Sequence, residues 1–227
     1  MSTRSAFGFG TPLSIIPVVG RVSEFRRLYP HRAMTAQIND TCFHRKIDFS
    51  VAGTSGSGLF EPATIGIQPV SMSTACWRGY VAHYSILDGE LFLTSLQIGL
   101  APDDSIRARA GKGPELFGVL PTADRFSGFS YEGFQSRAAF TGGLLLADGF
   151  VRELYVHMGF HPAWKYKTVR EVIFEAGHVT ADFDRSAEMA DARTKFLEEN
   201  QRSDGRFDEP KRGDIEAWIG KCFSREY

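Results

Sequence analysis

The chain has 227 residues, 43% of them hydrophobic and 13% aromatic, with 19 Phe; this is enough apolar surface for a real core and excludes global disorder. Its 26 basic and 27 acidic residues give a formal net charge of -1, so no excess of cations is present to neutralise a phosphate backbone, and nucleic acid is excluded as the expected partner. No window approaches the roughly 18 apolar residues that a membrane-spanning helix needs, so no membrane association is expected.

The length suits one large β domain with an appendage. Cys42, Cys76 and Cys222 are odd in number and far apart, which argues against a disulfide framework or a cysteine zinc site and predicts reduced thiols in a cytoplasmic protein. Met1 to Gly10 has no apolar stretch followed by a cleavage site, so no signal peptide is expected. Without one, the sequon Asn39-Asp40-Thr41 carries no meaning.

In chain order, Thr11 to Val19 holds Pro12 and Pro17 and is at most an edge strand. Cys42 to Val51 reads as one strand, and Gly53 to Gly58 as a flexible polar loop. The clearest signal is Trp77 to Ile98, where two β-rich runs flank Asp88-Gly89, the dipeptide of a type I′ hairpin turn. That turn sets a register in which Leu87 faces Glu90, Ile86 faces Leu91, Tyr84 faces Leu93 and Ala82 faces Ser95. Side-chain alternation then sends Tyr84, Ile86, Leu91 and Leu93 to the core, leaving His83, Ser85, Phe92 and Thr94 on the other face.

Pro102 to Phe129 reads as long loops with one short strand, Leu116 to Leu120. A second hairpin is expected from Ala138 to Met158 around Asp148-Gly149, and a third from Val169 to Phe183 around Ala176-Gly177-His178. Superposing Tyr80 to Leu93 on Phe140 to Glu153 aligns the two Asp-Gly pairs, a sign either of an internal repeat or of the pattern common to hairpins. Ser186 to Asn200 lacks Gly and Pro and reads as a helix capped near Asp184 or Ser186. After Pro210, residues Ile215, Trp218, Ile219, Cys222 and Phe223 follow the stripe of an amphipathic helix. The expected architecture is mainly β: an antiparallel hairpin meander forming a sandwich or barrel, residues 1–184, with a two-helix C-terminal tail, residues 185–227.

Motifs that carry chemistry fail on their own physics. Gly53 to Gly58 lacks the Lys-Ser/Thr pair of a phosphate loop, since Leu59-Phe60 follows, and it has Ser57 where a nucleophile elbow needs glycine. His157 and His161 share the spacing of helical metal ligands, but Gly159 and Pro162 make the segment extended, so no metal is expected. Cys76 and His83 are an odd number of residues apart and point to opposite faces of an unbroken strand. The aromatic group Trp77, Tyr80, Tyr84, Phe140, Tyr155 and Trp164 either fills the core or lines a cavity in a closed barrel.

The segments Ser73-Thr-Ala-Cys-Trp-Arg-Gly-Tyr80, Ile86-Leu-Asp-Gly-Glu-Leu-Phe-Leu-Thr94, Phe140-Thr-Gly142 and Tyr155-Val-His-Met-Gly-Phe160 resemble a group of largely uncharacterised bacterial β-rich proteins. The resemblance covers residues 70 to 180 and implies a small cytoplasmic β protein, with no catalytic residues to carry over. Ala139 stands where the group's pattern has Trp.

The function expected from the sequence is therefore a non-enzymatic bacterial binding protein with a protein partner, of the immunity type that neutralises a toxin or effector, with no cofactor. Its partner-binding residues would be Ile215, Trp218, Ile219 and Phe223. The alternative is a small-molecule-binding β barrel or hydrolase with a site around Arg78, His83, Tyr84 and His157, for which Trp77 and Tyr80 complete the candidate ligand-binding set.

Overall fold

A computed structural model describes residues 35–124, 128–200 and 227, which belong to one compact unit, Met34–Tyr227. The edge strand expected at Thr11 to Val19 and the amphipathic stripe from Ile215 to Phe223 lie outside the described residues.

The first hairpin is β1 (Thr41–His44) and β2 (Ile47–Ser57), joined by Arg45-Lys46. Both turn residues have positive φ, 49° and 66°, as a type I′ turn requires. Neither is Gly, Asn or Asp, so the expected single strand from Cys42 to Val51 is corrected to two strands and a turn. Gly53 to Gly58 is not a flexible loop: β2 runs through it to Ser57 and pairs with β8 (Thr141–Phe150).

The hairpin of β3 (Tyr80–Leu87) and β4 (Glu90–Ile98) forms around Asp88-Gly89 with φ of 49° and 78°. Leu87 faces Glu90, Ile86 faces Leu91 and Tyr84 faces Leu93, as the turn predicts. Beyond that point Thr94 is an extra residue, so Ala82 pairs with Leu96 rather than Ser95. The Thr94 hydroxyl donates to the His83 carbonyl at 3.1 Å, holding this bulge. The bulge resets the alternation, which is why Leu91, Leu93, Leu96 and Ile98 are all buried.

The segment expected to be loops contains α1 (Pro102–Arg109), with Pro102 at its start, Asp103 and Asp104 in its first turn and Arg107 and Arg109 in its last. That charge order suits the helix dipole. Leu116 to Leu120 is a tight turn instead of a strand, with Leu116 bridged to Val119. The short strands β5 (Thr122–Ala123), β6 (Phe129–Tyr131) and β7 (Ser136–Arg137) complete the edge beside β4.

The second expected hairpin does not form. β8 passes straight through Asp148-Gly149, with Asp148 opposite Thr168 and Phe150 opposite Tyr166, while Gly149 at φ 70° lets the strand continue. The likeness between Tyr80 to Leu93 and Phe140 to Glu153 is therefore no structural repeat. β9 (Tyr166–Glu175) and β10 (His178–Asp184) do form the third hairpin around Ala176-Gly177. α2 (Ser186–Asn200) follows, with the Asp184 carboxylate accepting from the Ser186 amide at 2.9 Å. It rests against the barrel through Phe196 stacked on Trp164 at 4.5 Å and Arg193 donating to the Trp164 and Tyr166 carbonyls.

Seven strands follow one another in the order β10-β9-β8-β2-β1-β3-β4, and His178 on β10 pairs back to Glu90 on β4, closing the ring into a barrel. Among the described residues every strand pairing is antiparallel except β1 with β3, so the sheet is mixed and not a simple meander. A barrel of about eight strands has an interior just wide enough for side chains, and this smaller one is filled by them. Phe49, Phe140, Phe174, Leu144 and Leu146 are almost fully buried there.

Candidate functional site

Inward positions along and just before β1 set out the two ends of the barrel: Asp40, Cys42 and His44 alternate and are all buried. At the His44 end the interior is stoppered by charge. The Asp182 carboxylate accepts from His44 Nε2 at 3.0 Å, Arg170 Nε at 2.7 Å and Arg45 Nε at 3.0 Å. Burial alone would raise the Asp182 pKa, but these bonds outweigh it and hold the carboxyl below its usual range.

At the Asp40 end the barrel opens into a recess of about 260 Å³. Thr54 and Ser57 of β2 line one side and Tyr80 and Tyr84 of β3 the other. The chain after β2 folds over it with Leu59, Phe60 and Glu61, and the Tyr84 hydroxyl accepts from the Phe60 amide at 3.2 Å. Phe140 and Asp40 complete the wall. Among the described residues, Lys and Arg are absent from this lining.

Asp40 is the keystone of this end. Its carboxylate takes both Arg78 terminal nitrogens, one at 3.0 Å, and also accepts from the Ala82 amide at 2.7 Å; its carbonyl accepts from the Val51 amide. It thus ties β2, β3 and the segment before β3 together. Burial would lower the Arg78 pKa, but the Asp40 charge and hydrogen bonds raise it instead, keeping the guanidinium charged. The guanidinium lies over Tyr80 at 4.5 Å and near Phe160 at 5.8 Å. Phe160 belongs to the excursion between β8 and β9, whose ends are tied by the Val151 amide donating to the Lys165 carbonyl.

The candidate ligand-binding residues divide among different places. Tyr80 and Tyr84 line the recess, and Arg78 supports it from behind through Asp40. Trp77 is half-buried outside it, with its amide donating to Gln37 Oε1. His83 occupies the opposite face of β3 from Tyr84, hydrogen-bonded to Thr41 Oγ1 at 2.7 Å, and burial lowers its pKa. His157 is exposed, its ring edge-on to Tyr155 at 4.9 Å. Tyr155 in turn stacks on His161 at 5.2 Å, so a phenol ring stands between the two imidazoles. The proposed cluster of Arg78, His83, Tyr84 and His157 is therefore not assembled. Of the aromatic group, Tyr80, Tyr84 and Phe140 reach the recess, whereas Trp77, Tyr155 and Trp164 are not in its lining. Ile215, Trp218, Ile219 and Phe223 lie outside the described residues.

The buried thiols are unsuited to nucleophilic work. Burial pushes Cys42 up to about 12, with Asp48 adding to it, and burial also raises Cys76 against the opposing charge of Arg78. Among the described residues no group of three or more His, Cys, Asp or Glu is placed to hold a metal ion.

The residues that sequence reading missed are Asp40, Glu61, Thr54, Ser57 and Phe60. Asp40 had one available signal: an acid two positions before an inward cysteine, at the entrance to a strand, needs a cationic partner if it is buried. Comparisons with protein-family models, curated proteins and solved structures found no match to this chain.

Proposed function

We propose that this chain is a non-enzymatic binding protein that engages a protein partner, of the immunity type that neutralises a toxin or effector. The observation that carries the reading is a small recess, walled by carboxylates and aromatic rings, opening at one end of a barrel whose interior is filled by its own side chains. A filled barrel offers its rim and surface for recognition, not its lumen. The groups with nucleophilic or general-base potential support the same reading. Cys42 and Cys76 are buried with raised pKa values, and His83 is turned from the recess and bonded to Thr41.

The second reading, a small-molecule-binding barrel, is favoured by Tyr80 and Tyr84 meeting in the recess. Purification of the full chain from the cells that make it separates the two. The expected result is one protein in stoichiometric amount, with the complex re-forming at fixed ratio from purified components. A tightly held small molecule released on denaturation, with no protein partner, overturns the reading.

A further inference from the structure

We propose that Phe60, Phe117 and Phe134, with Glu61, Glu115 and Glu132 beside them, form the surface on which a protein partner docks, and that the partner's face is basic with an apolar socket for Phe117. This rests on the partner-binding reading above and names the surface and the chemistry of its complement.

The aromatic group joins separate stretches of the chain. The Phe117 ring lies 6.1 Å from that of Phe60 and 5.3 Å from that of Phe134, tilted against both. Phe60 and Phe134 are partly buried against the core, whereas Phe117 is 48% exposed.

The turn that carries Phe117 has no need of it. Leu116 and Val119 exchange both backbone hydrogen bonds at 2.9 Å, and Phe117 and Gly118 between them have φ of 49° and 81°, the left-handed pair of a type I′ turn. The first of those positions suits Asn, Asp or Gly, and a bulky ring holds it only against strain. The fold thus keeps a strained aromatic side chain half in water where a small polar one would serve the turn better. Strain of this kind collects at functional positions, and aromatic anchors concentrate binding energy at protein interfaces.

Charge selects the partner. Glu61 follows Phe60 directly, Glu115 stands two positions before Phe117 and Glu132 two before Phe134, and all three carboxylates are on exposed residues. Among the described residues none of them forms an ion pair. The Glu132 charge is also felt at His83, raising its pKa against the larger effect of burial. Of the described cations nearest these rings in sequence, Arg137 is drawn to Glu90 at 3.4 Å, and exposed Lys112 offsets only part of the negative charge. The chain as a whole is balanced at -1, so the excess here is local. A basic face is attracted to it, an acidic one is repelled, and a second copy meeting it patch to patch would bring the same glutamates.

The first part of the test uses the full chain without its partner. Phe117→Asn, which places a residue suited to the turn, should hold or raise the thermal midpoint; a fall shows that Phe117 serves the fold and overturns the proposal. Acetyl-Lys-Leu-Trp-Leu-Lys-amide and acetyl-Glu-Leu-Trp-Leu-Glu-amide are then titrated against the chain by amide-detected NMR. The basic peptide should shift the Phe60, Glu115, Phe117 and Phe134 amides saturably and bind about tenfold tighter than the acidic one, the worth of about three exposed ion pairs. Phe117→Asn should remove the saturable shift, and Glu61→Gln, Glu115→Gln and Glu132→Gln together should erase the preference. No saturable shift at these amides, equal binding of the two peptides, or a preference that survives the triple change overturns the proposal. So does a dimer of the chain that Phe117→Asn dissolves, which gives the surface to a second copy. With the partner in hand, Phe117→Asn should weaken the complex about tenfold or more. A complex indifferent to it defeats this inference alone, whereas binding of the basic peptide without any protein complex defeats the partner-binding reading.

Discussion

Gly56 on β2 and Gly142 on β8 face one another across a strand pair that leaves room for neither to carry a side chain. Gly56 has φ of 116° and Gly142 φ of 143°; a Cβ on the first would overlap the Thr141 carbonyl oxygen, and a Cβ on the second the Ser55 carbonyl oxygen. The residues that follow, Ser57 to Glu61, line the recess. Gly142→Ala should therefore cost at least about 1–3 kcal/mol from backbone strain alone, with the overlap added. Gly89→Ala, at φ 78° with open space around its Cβ, should cost only about 1 kcal/mol. Urea midpoints of the two variants check the difference, and equal losses would contradict it.

Arg78 is required because Asp40 is buried, not because the pair attracts strongly in itself. Arg78→Met takes the guanidinium away from that buried carboxylate and should lower stability by about 3–5 kcal/mol. Arg78→Lys should recover only part of this, since a point charge cannot meet both oxygens as a guanidinium does. Chemical denaturation of both variants measures the effect, and a loss under about 1 kcal/mol for Arg78→Met would show that Asp40 is otherwise satisfied.

Acid should loosen the protein well before its carboxylates protonate. Burial, followed by the nearby charge of Lys165, pushes His161 down from 6.5 to about 4, and its ring is packed against Phe150 and Tyr155. The unfolded chain takes up this proton first. The contribution is thus fully present above pH 6.5 and is lost as pH falls toward about 4. It amounts to roughly 2–3 kcal/mol. Burial lowers the His83 pKa as well, adding to the slope in the same direction. Stability measured across this window should fall with pH, and His161→Phe should flatten the fall; an unchanged slope would remove His161 from the account.

Cys42 and Cys76 should resist iodoacetamide in the folded protein at mildly alkaline pH and react fully in urea, because burial keeps both as thiols. Peptide mass mapping distinguishes them from Cys222. Rapid native alkylation of Cys76 would mean that the Arg78 charge outweighs burial there, and would revive a nucleophilic role.

What could be read from the sequence followed local chemistry. Asp88-Gly89 and Ala176-Gly177 fixed two hairpins because a glycine supplied the positive φ, and α2 was visible through its uninterrupted helix formers and Asp184 cap. Where the same geometry is imposed by tertiary contacts the signal vanishes. Arg45-Lys46 makes a type I′ turn with no turn residue, while Arg45 is held by Asp182 from 137 positions away. Asp148-Gly149 misled in the opposite sense, since β2 and β9 on either side hold β8 straight through it. The recess was partly legible, in Tyr80 and Tyr84. Its charge was not, because Asp40 meets Arg78 across 38 residues and Glu61 follows glycines that read as a loop.

The ring closes through β4 and β10 along a very short seam: the His178–Glu90 pair, with Leu91 donating to the Gly177 carbonyl and Val179 to the Gly89 carbonyl. By contrast, β8 and β9 are paired along most of their length. A cylinder clasped so briefly is a rolled strip with a preferred line of unrolling. Those few bonds cover only the start of β10, so along the rest of that side the strand pairs with no other strand among the described residues, and an open edge is a template for another strand. Crowded or mildly destabilised samples of this protein should accordingly begin to associate along β10.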